Sequence, residues 1–141
     1  MADLTVTISE SLSLNGKEQG AKNTQTVTSV TQFDHRVVTA TTTEQSILLF
    51  DSAVAAGTFE DSSVEYMRVT NLNDTNFVEI RVLGSSEEYF VKLEPRGSFI
   101  LGNSVMDANA TGSQSLTFGN IESILAKADT ANCQLEIFVA V

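Results

Sequence analysis

The stretch of residues 64–101 constrains the fold more than any other part of the chain: VEYMRVTNLNDTNFVEIRVLGSSEEYFVKLEPRGSFIL. It contains four short segments in which apolar and polar residues alternate, and each segment ends in a cluster of turn-forming residues. Side chains of a β-strand point alternately to opposite faces, so each segment has one apolar face. We therefore predict a four-stranded meander that buries its apolar face against a second sheet.

The alternation also predicts which side chains of this meander are buried. The predicted core residues are Met67, Val69, Val78, Ile80, Val82, Tyr89, Val91 and Leu93. The opposite faces carry charged residues, and we expect Glu79 and Arg68 to pair across neighbouring strands. Pro95-Arg96-Gly97 forms the predicted last turn, with glycine at the position of positive φ.

Further strands are predicted on both sides of the meander, at residues 4–8, 24–33, 35–42, 45–50, 121–126 and 133–141. Residues 121–126 also have helical spacing, but the segment is too short to favour a helix. Residues 51–61 allow at most one helical turn. About nine short strands without a long helix predict an all-β fold, an antiparallel β-sandwich. We expect a jelly-roll-like sandwich, because the chain lacks the tryptophan and the cysteine pair typical of immunoglobulin domains.

The first 23 residues are predicted to form an N-terminal strand and a flexible arm, and residues 24–141 the sandwich domain. Leu4, Val6 and Ile8 alternate with polar residues and predict one apolar strand face. The polar stretch that follows contains the turn dipeptide Asn15-Gly16. Such a terminal strand either pairs with a neighbouring subunit or docks in its own sheet, and the sequence leaves both open.

Composition argues against nucleic-acid and membrane partners. The chain has 18 acidic and 8 basic residues, a net charge of −10 that repels phosphate backbones. No apolar run approaches the roughly 18 residues that span a bilayer. The start of the chain has neither the positive charge nor the apolar segment of a signal peptide.

No catalytic, cofactor or metal motif is present, so we predict a protein that is not an enzyme and has no cofactor. Cys133 and His35 are each the only residue of their type, and no flanking signature supports a Cys/His pair. Glu87 and Glu88 would point to opposite faces of a strand and cannot flank one glycosidic bond. The asparagine-rich residues 71–76 lack the spacing of a calcium loop and predict side chains bonded to their own backbone.

Five aromatic residues lie in or beside the predicted strands: Tyr66, Phe77, Tyr89, Phe90 and Phe99. Aromatic side chains at a spacing of two usually pack in the core or across strands. A carbohydrate-binding face built from them is the alternative.

Three segments together resemble small β-rich virion proteins of tailed, particularly marine, bacteriophages: EYMRVTNLNDTNFVEIRVLG, EEYFVKLEPRGSFIL and IESILAKADTANCQLEIFVA. The similarity covers most of the chain and consists of a pattern of strands and turns. It implies a capsid decoration (cement) protein or a tail or fibre component, and it carries no catalytic residues.

The resemblance leads to an expected function, that of a non-enzymatic decoration protein that binds and stabilises the outer capsid surface of a virion. Its expected partner is the major capsid protein, and we expect a homo-oligomer, with a trimer favoured. The alternatives are a tail or fibre component for host attachment, and a carbohydrate-binding module or small hydrolase. The candidate contact residues lie in the first strand and in the loop of residues 102–115: Leu4, Val6, Ile8, Asn103, Val105 and Met106.

Overall fold

The computed structural model describes residues 2–53, 55, 57–85, 88–102, 107–108 and 119–141. The chain divides into two compact units, Met1–Thr31 and Gln32–Val141. We call the described part of the first, residues 2–31, the ribbon, and the second the sandwich unit.

The ribbon is one long hairpin. Its strands are β1 (Ala2–Glu10), β2 (Ser13–Leu14), β3 (Lys17–Glu18) and β4 (Ala21–Val30). β1 pairs antiparallel with β4, and β2 pairs antiparallel with β3 at the tip.

The described residues of the sandwich unit form ten further strands. These are β5 (Phe33–Ala40), β6 (Gln45–Asp51), β7 (Thr58–Glu60), β8 (Tyr66–Asn71), β9 (Val78–Gly84), β10 (Glu88–Leu93), β11 (Ser98–Gly102), β12 (Asp107–Ala108), β13 (Gly119–Ala128) and β14 (Cys133–Ala140). One sheet has the order β10-β9-β13-β6-β7, with β12 also paired to β13, and the other has the order β11-β8-β14-β5. Among the strands that the structure describes, only the β6–β7 pair is parallel.

A single apolar core lies between these two sheets. Alternate residues of the long strands in both sheets enter it, and the largest of its fully buried side chains include Leu48, Met67, Ile80, Ile124, Leu135 and Ile137. The predicted core of residues 67–93 is confirmed, with Met67, Val69, Val78, Ile80 and Val82 at most 1% exposed.

The all-β sandwich predicted from the sequence is confirmed, and the described residues contain no helix. They form fourteen strands instead of about nine, because the polar tip of the ribbon and the edges of the larger sheet supply short additional ones. Residues 121–126 lie in β13 and are extended, as predicted. The chain crosses repeatedly from one sheet to the other, and whether this topology is jelly-roll-like stays a prediction.

The predicted meander of residues 64–101 is wrong. β8 and β11 pair with each other in the smaller sheet, whereas β9 and β10 form a hairpin in the larger one. Period-two alternation is the same whichever sheet a strand joins, and the connection of residues 72–77 is long enough to cross between sheets. The predicted pair of Glu79 and Arg68 is therefore wrong as well, because these residues lie in different sheets.

Two connections cross between the sheets in this region, residues 72–77 and residues 94–97, and Asn71 binds backbone groups at both. Its buried Nδ2 donates to the carbonyl oxygens of Asn76, 2.9 Å away, and Leu93, 3.2 Å away. Its backbone N–H donates to the carbonyl of Gly97 at 2.9 Å. One side chain thus donates to backbone acceptors of both crossings.

The last turn of this region differs from the prediction at one residue. Arg96, and not Gly97, has the positive φ, at 64°. The Gly97 N–H donates to the Glu94 carbonyl at 2.9 Å, which makes Pro95 and Arg96 the two central residues of the turn. In this position the Arg96 guanidinium forms an ion pair with Asp74 in the other crossing.

The two units divide after Thr31, whereas the sequence predicted a boundary after residue 23. Residues 24–30 do form a strand, as their β-branched composition predicts, but that strand pairs with β1 and not with the sandwich. Of the expected arm of residues 10–23, residues 11–20 form the tip of the same hairpin and the rest lies in β1 and β4.

Candidate interaction site

The Asn15-Gly16 dipeptide sets the register of the ribbon. Both residues have positive φ, 53° and 74°, as the two central residues of a tight hairpin turn require. Leu14 therefore lies opposite Lys17, and Ser13 opposite Glu18. The turn predicted from the sequence is confirmed.

The backbone is also held in place where the tip joins the long strands β1 and β4. The Glu18 carboxylate accepts hydrogen bonds from the Leu12 N–H at 3.1 Å and the Ser11 hydroxyl at 3.2 Å. A Cβ at Gly20 would lie 2.3 Å from the Glu10 carbonyl oxygen, so only glycine fits there.

This register gives the ribbon two chemically different faces. Leu4 lies opposite Val27, and Val6 and Ile8 lie on the same face. We call these four residues the apolar face. Val27 is buried, Leu4 and Val6 are half-buried and Ile8 is 42% exposed.

The other face consists mainly of threonine. Thr5 lies opposite Thr26, and Thr7 lies opposite Thr24 with their hydroxyl oxygens 3.3 Å apart. A small polar face of this kind hydrogen-bonds readily to water, so the apolar face is the one that gains from a partner.

Both long edges of the ribbon are open within the described part of the chain. β1 and β4 pair with each other and with no third strand there. A two-stranded hairpin is only marginally stable in water and usually needs a further strand or a packing surface. The backbone groups along each open edge are available for such a strand.

The edge strands of the sandwich unit, in contrast, are protected against pairing. β7 has three residues and β11 has five, and β10 presents Glu88 and Lys92. β5 turns a charged pair toward the opposite sheet: Arg36 Nη1 lies 2.9 Å from Asp34 Oδ2, and its Nη2 donates to the Ile47 carbonyl at 2.9 Å. Short edges, exposed charges and inward charges all disfavour strand addition.

The two edges of the ribbon are not equivalent. β4 contains a bulge near Ser29, which has a φ of 66° and whose N–H donates to Asp3 Oδ1 at 3.3 Å. A bulge bends a strand and interrupts its pairing. β1 pairs without a shift from Leu4 to Glu10, so it presents the longer regular edge.

Charge is distributed unequally between the units. Residues 2–31 contain three acidic and two basic residues, whereas residues 32–141 contain fifteen acidic and six basic ones. The ribbon can therefore approach a second acidic surface with far less repulsion than the sandwich unit can.

A second exposed surface lies on the outer face of the smaller sheet. Phe33 is 70% exposed, and its ring centroid lies 6.4 Å from that of Phe138. Beside these rings, Glu136 Oε1 accepts a hydrogen bond from Arg68 at 2.5 Å and lies 3.2 Å from His35 Nε2. The hydrogen bond from Arg68, more than that from His35, lowers the pKa of Glu136.

The five aromatic residues singled out in the sequence do not share a face. Tyr66 lies on the outer face of the smaller sheet, and Phe99 packs against the core from the neighbouring β11. Tyr89 also packs against the core, whereas Phe90 is exposed on the outside of the larger sheet. Phe77 lies in a connection, with Lys92 Nζ 4.4 Å from its ring centroid.

Cys133 and His35 lie on opposite faces of one sheet. Cys133 is buried in the core, where desolvation and the nearby Asp129 raise the pKa of its thiol, whereas His35 is exposed. This geometry rules out the Cys/His pair that the sequence left open, because a nucleophile must lie within hydrogen-bond reach of its base.

A groove of about 530 Å³ opens beside β6 and β13, and Asp51, Asp61 and Glu122 contribute to its lining. No group of three histidine, cysteine or acidic side chains among the described residues is arranged to hold a metal ion. In the part of the chain that the structure describes, no helix is long and apolar enough to cross a membrane.

The predicted contact residues fall into two groups. The structure brings Leu4, Val6 and Ile8 together on the apolar face, where Val27 joins them. Asn103, Val105 and Met106 lie outside the described residues. Sequence reasoning missed Val27 because it assigned residues 24–33 to the sandwich.

No protein-family model, no curated protein and no solved structure matches this chain significantly.

Proposed function

We propose that this protein is a non-enzymatic virion structural protein, a decoration protein that binds the outer capsid surface of a tailed bacteriophage. The observation that carries the proposal is the ribbon, with an apolar face and open strand edges, in a chain whose sandwich edges are protected. A decoration protein needs a rigid body and a surface that adheres, and no turnover. The resemblance of most of the chain to phage virion proteins supports the same role.

The ribbon is the proposed contact element with the major capsid protein. Each copy needs only a modest contact, because a capsid repeats its subunits and simultaneous contacts add through avidity. The loop that contains Asn103, Val105 and Met106 is the proposed second contact. The acidic sandwich unit suits the outer surface, away from the packaged DNA.

Copy number in purified virions tests this function. Quantitative mass spectrometry should find the protein at the number of capsid subunits or at a simple fraction of it. Absence from virions would contradict the proposal, and only a few copies per particle would favour the alternative of a tail or fibre component.

Carbohydrate recognition is the second candidate, supported by the exposed Phe33 ring beside Phe138 and Glu136. Aromatic rings stack on apolar sugar faces, and carboxylates accept hydrogen bonds from sugar hydroxyls. Binding on a glycan array that is lost in Phe33→Ala and kept in the matched control Phe90→Ala would support it. The absence of binding to any glycan would contradict carbohydrate recognition.

A further inference from the structure

The outer edge of β1 is suited to pair with a copy of itself. Antiparallel strands place directly opposite residues on the same face, so a self-pairing strand must match its own reversed pattern. The sequence around Val6 reads Leu-Thr-Val-Thr-Ile, which has the same pattern of apolar and threonine residues in both directions.

We infer that β1 pairs antiparallel with β1 of a second copy of this chain, about a two-fold axis at Val6. Leu4 then lies opposite Ile8 of the second copy, and Thr5 opposite Thr7. The result is a four-stranded sheet in the order β4-β1-β1-β4. The inference rests on the proposed role of the ribbon as the contact element, and it names the partner of its open edge.

Several properties of β1 favour this register. The register pairs all nine residues from Ala2 to Glu10. A shift by one residue would place apolar side chains opposite threonines. Asp3 faces Ser9 and Glu10 faces Ala2, so no like charges oppose each other. The pairing also joins the apolar faces of the two copies into one larger face.

β4 does not have the same property. Pairing of β4 with its own copy about a two-fold axis at Thr26 would place Gln25 opposite Val27. The paired segment would also include the bulge at Ser29. The edge strands of the sandwich unit are short or charged, as described above. Among the described strands, β1 is therefore the one that fits a second copy.

A pair formed in this way leaves the apolar face free. The doubled face contains the half-buried Leu4 and Val6 and the exposed Ile8 from each copy, which we propose as the surface toward the capsid, whereas Val27 is already buried. The trimer expected from the sequence would need a different, head-to-tail contact, because a two-fold axis relates only two copies.

Variants with one introduced cysteine, in addition to the buried Cys133, test the register directly. In Val6→Cys the two sulfurs belong to directly opposite residues, whose Cα atoms lie about 4.5–5.5 Å apart, within reach of a disulfide. Mild oxidation of the full-length protein should give a covalent dimer. Thr5→Cys is the matched control, because its two copies are diagonal neighbours at about 7–8 Å and should stay uncrosslinked. Mixing Thr5→Cys with Thr7→Cys should restore the covalent dimer.

A charge at the two-fold axis provides a second test that does not depend on oxidation. Native mass spectrometry of the wild type should give twice the chain mass of 15.2 kDa. Val6→Lys places two like charges opposite each other and should give the mass of a single chain. Gln25→Lys adds the same charge on the same ribbon face, directly across from Val6, and should remain dimeric.

A monomeric wild type, or equal crosslinking of Val6→Cys and Thr5→Cys, would overturn the inference. The proposed function would fail separately, by absence of the protein from virions. A protein that is monomeric in solution and abundant in virions would contradict only the pairing, and a dimer absent from virions only the function.

Discussion

Single polar side chains fix the points at which this chain changes direction. Asn71 binds backbone groups of both crossings between the sheets, and Asn73 Oδ1 accepts hydrogen bonds from the N–H groups of Thr75, at 2.8 Å, and Asn76, at 2.7 Å. The expectation that these asparagines bond to their own backbone is confirmed. Sequence could not assign the larger role to Asn71, because its partners Leu93 and Glu94 are more than twenty residues away.

Replacing Asn71 by alanine should lower the free energy of unfolding by about 1–3 kcal/mol, because it removes the hydrogen bonds of a buried side chain to the backbone carbonyl groups of Asn76 and Leu93. Urea denaturation measures this change. Asn120→Ala removes an exposed asparagine bonded to Asp61 and should stay within about 0.5 kcal/mol of the wild type. A stable Asn71→Ala variant would show that the crossings do not depend on this side chain.

Glu136 should make stability depend on pH in the acid range. Its pKa in the folded protein is lowered below the ordinary value of 4.5, chiefly by the hydrogen bond from Arg68. A carboxylate with a lowered folded-state pKa stabilises the fold above its unfolded-state pKa, and this contribution is lost as the pH falls through the folded-state value.

Glu136→Gln should therefore be less stable than the wild type at pH 7 and should lose less stability on acidification to pH 3. Gln134→Ala, on the same strand and face, has no carboxylate to remove and should keep the slope of the wild type. Thermal melts at several pH values measure both variants. Parallel pH profiles for Glu136→Gln and the wild type would contradict this assignment.

At the scale of strands, the sequence correctly predicted which face of each strand is buried, but it did not predict which strands pair with each other. The buried faces of β8, β9 and β14 follow directly from alternation, since burial of every second residue needs no knowledge of the neighbouring strand. Pairing depends on where each connection leads, and residues 72–77 carry no signal that separates a hairpin from a crossing. Local chemistry determined the Asn15-Gly16 turn, whereas at the last turn Arg96 takes the conformation expected of glycine.

The assignment of buried and exposed faces predicts that an aspartate unfolds the protein at a core position of β9 but is tolerated at an exposed position of the neighbouring β10. Ile80→Asp buries an unpaired carboxylate, which costs several kcal/mol against a total stability of about 5–15 kcal/mol, and should unfold the sandwich unit. Phe90→Asp, at an exposed position on β10, should remain folded. Circular dichroism melts distinguish these outcomes, and an unchanged melting temperature for Ile80→Asp would contradict the assigned core.

At the scale of the whole molecule, the described chain has its apolar core in one unit and its long open strand edges in the other. The sandwich unit contains the apolar core and most of the net charge, and its edges are protected. The ribbon has little core of its own, a nearly balanced charge and open edges. Composition alone could not reveal this division, because it averages the two units.

Deletion of residues 1–31 should leave the sandwich unit folded and should abolish binding to particles. The pairing of Gln32 with Val141, through hydrogen bonds of 2.9 and 3.0 Å, lies inside the remaining chain. Circular dichroism should show a cooperative melt, and cosedimentation with capsids that lack the protein should show loss of binding. Deletion of residues 1–23 alone is a poorer test, because it removes β1 and leaves β4 without its partner strand. Decoration as tight as that of the full chain would contradict the role of the ribbon.

The most direct test of the account is a cryo-electron microscopy map of the virion in which both units can be traced. We predict density for this protein on the outer capsid surface, with the ribbon in contact with neighbouring subunits and the sandwich unit facing solvent. A map in which the ribbon touches no neighbouring subunit, or in which the protein is absent from the capsid, would contradict it.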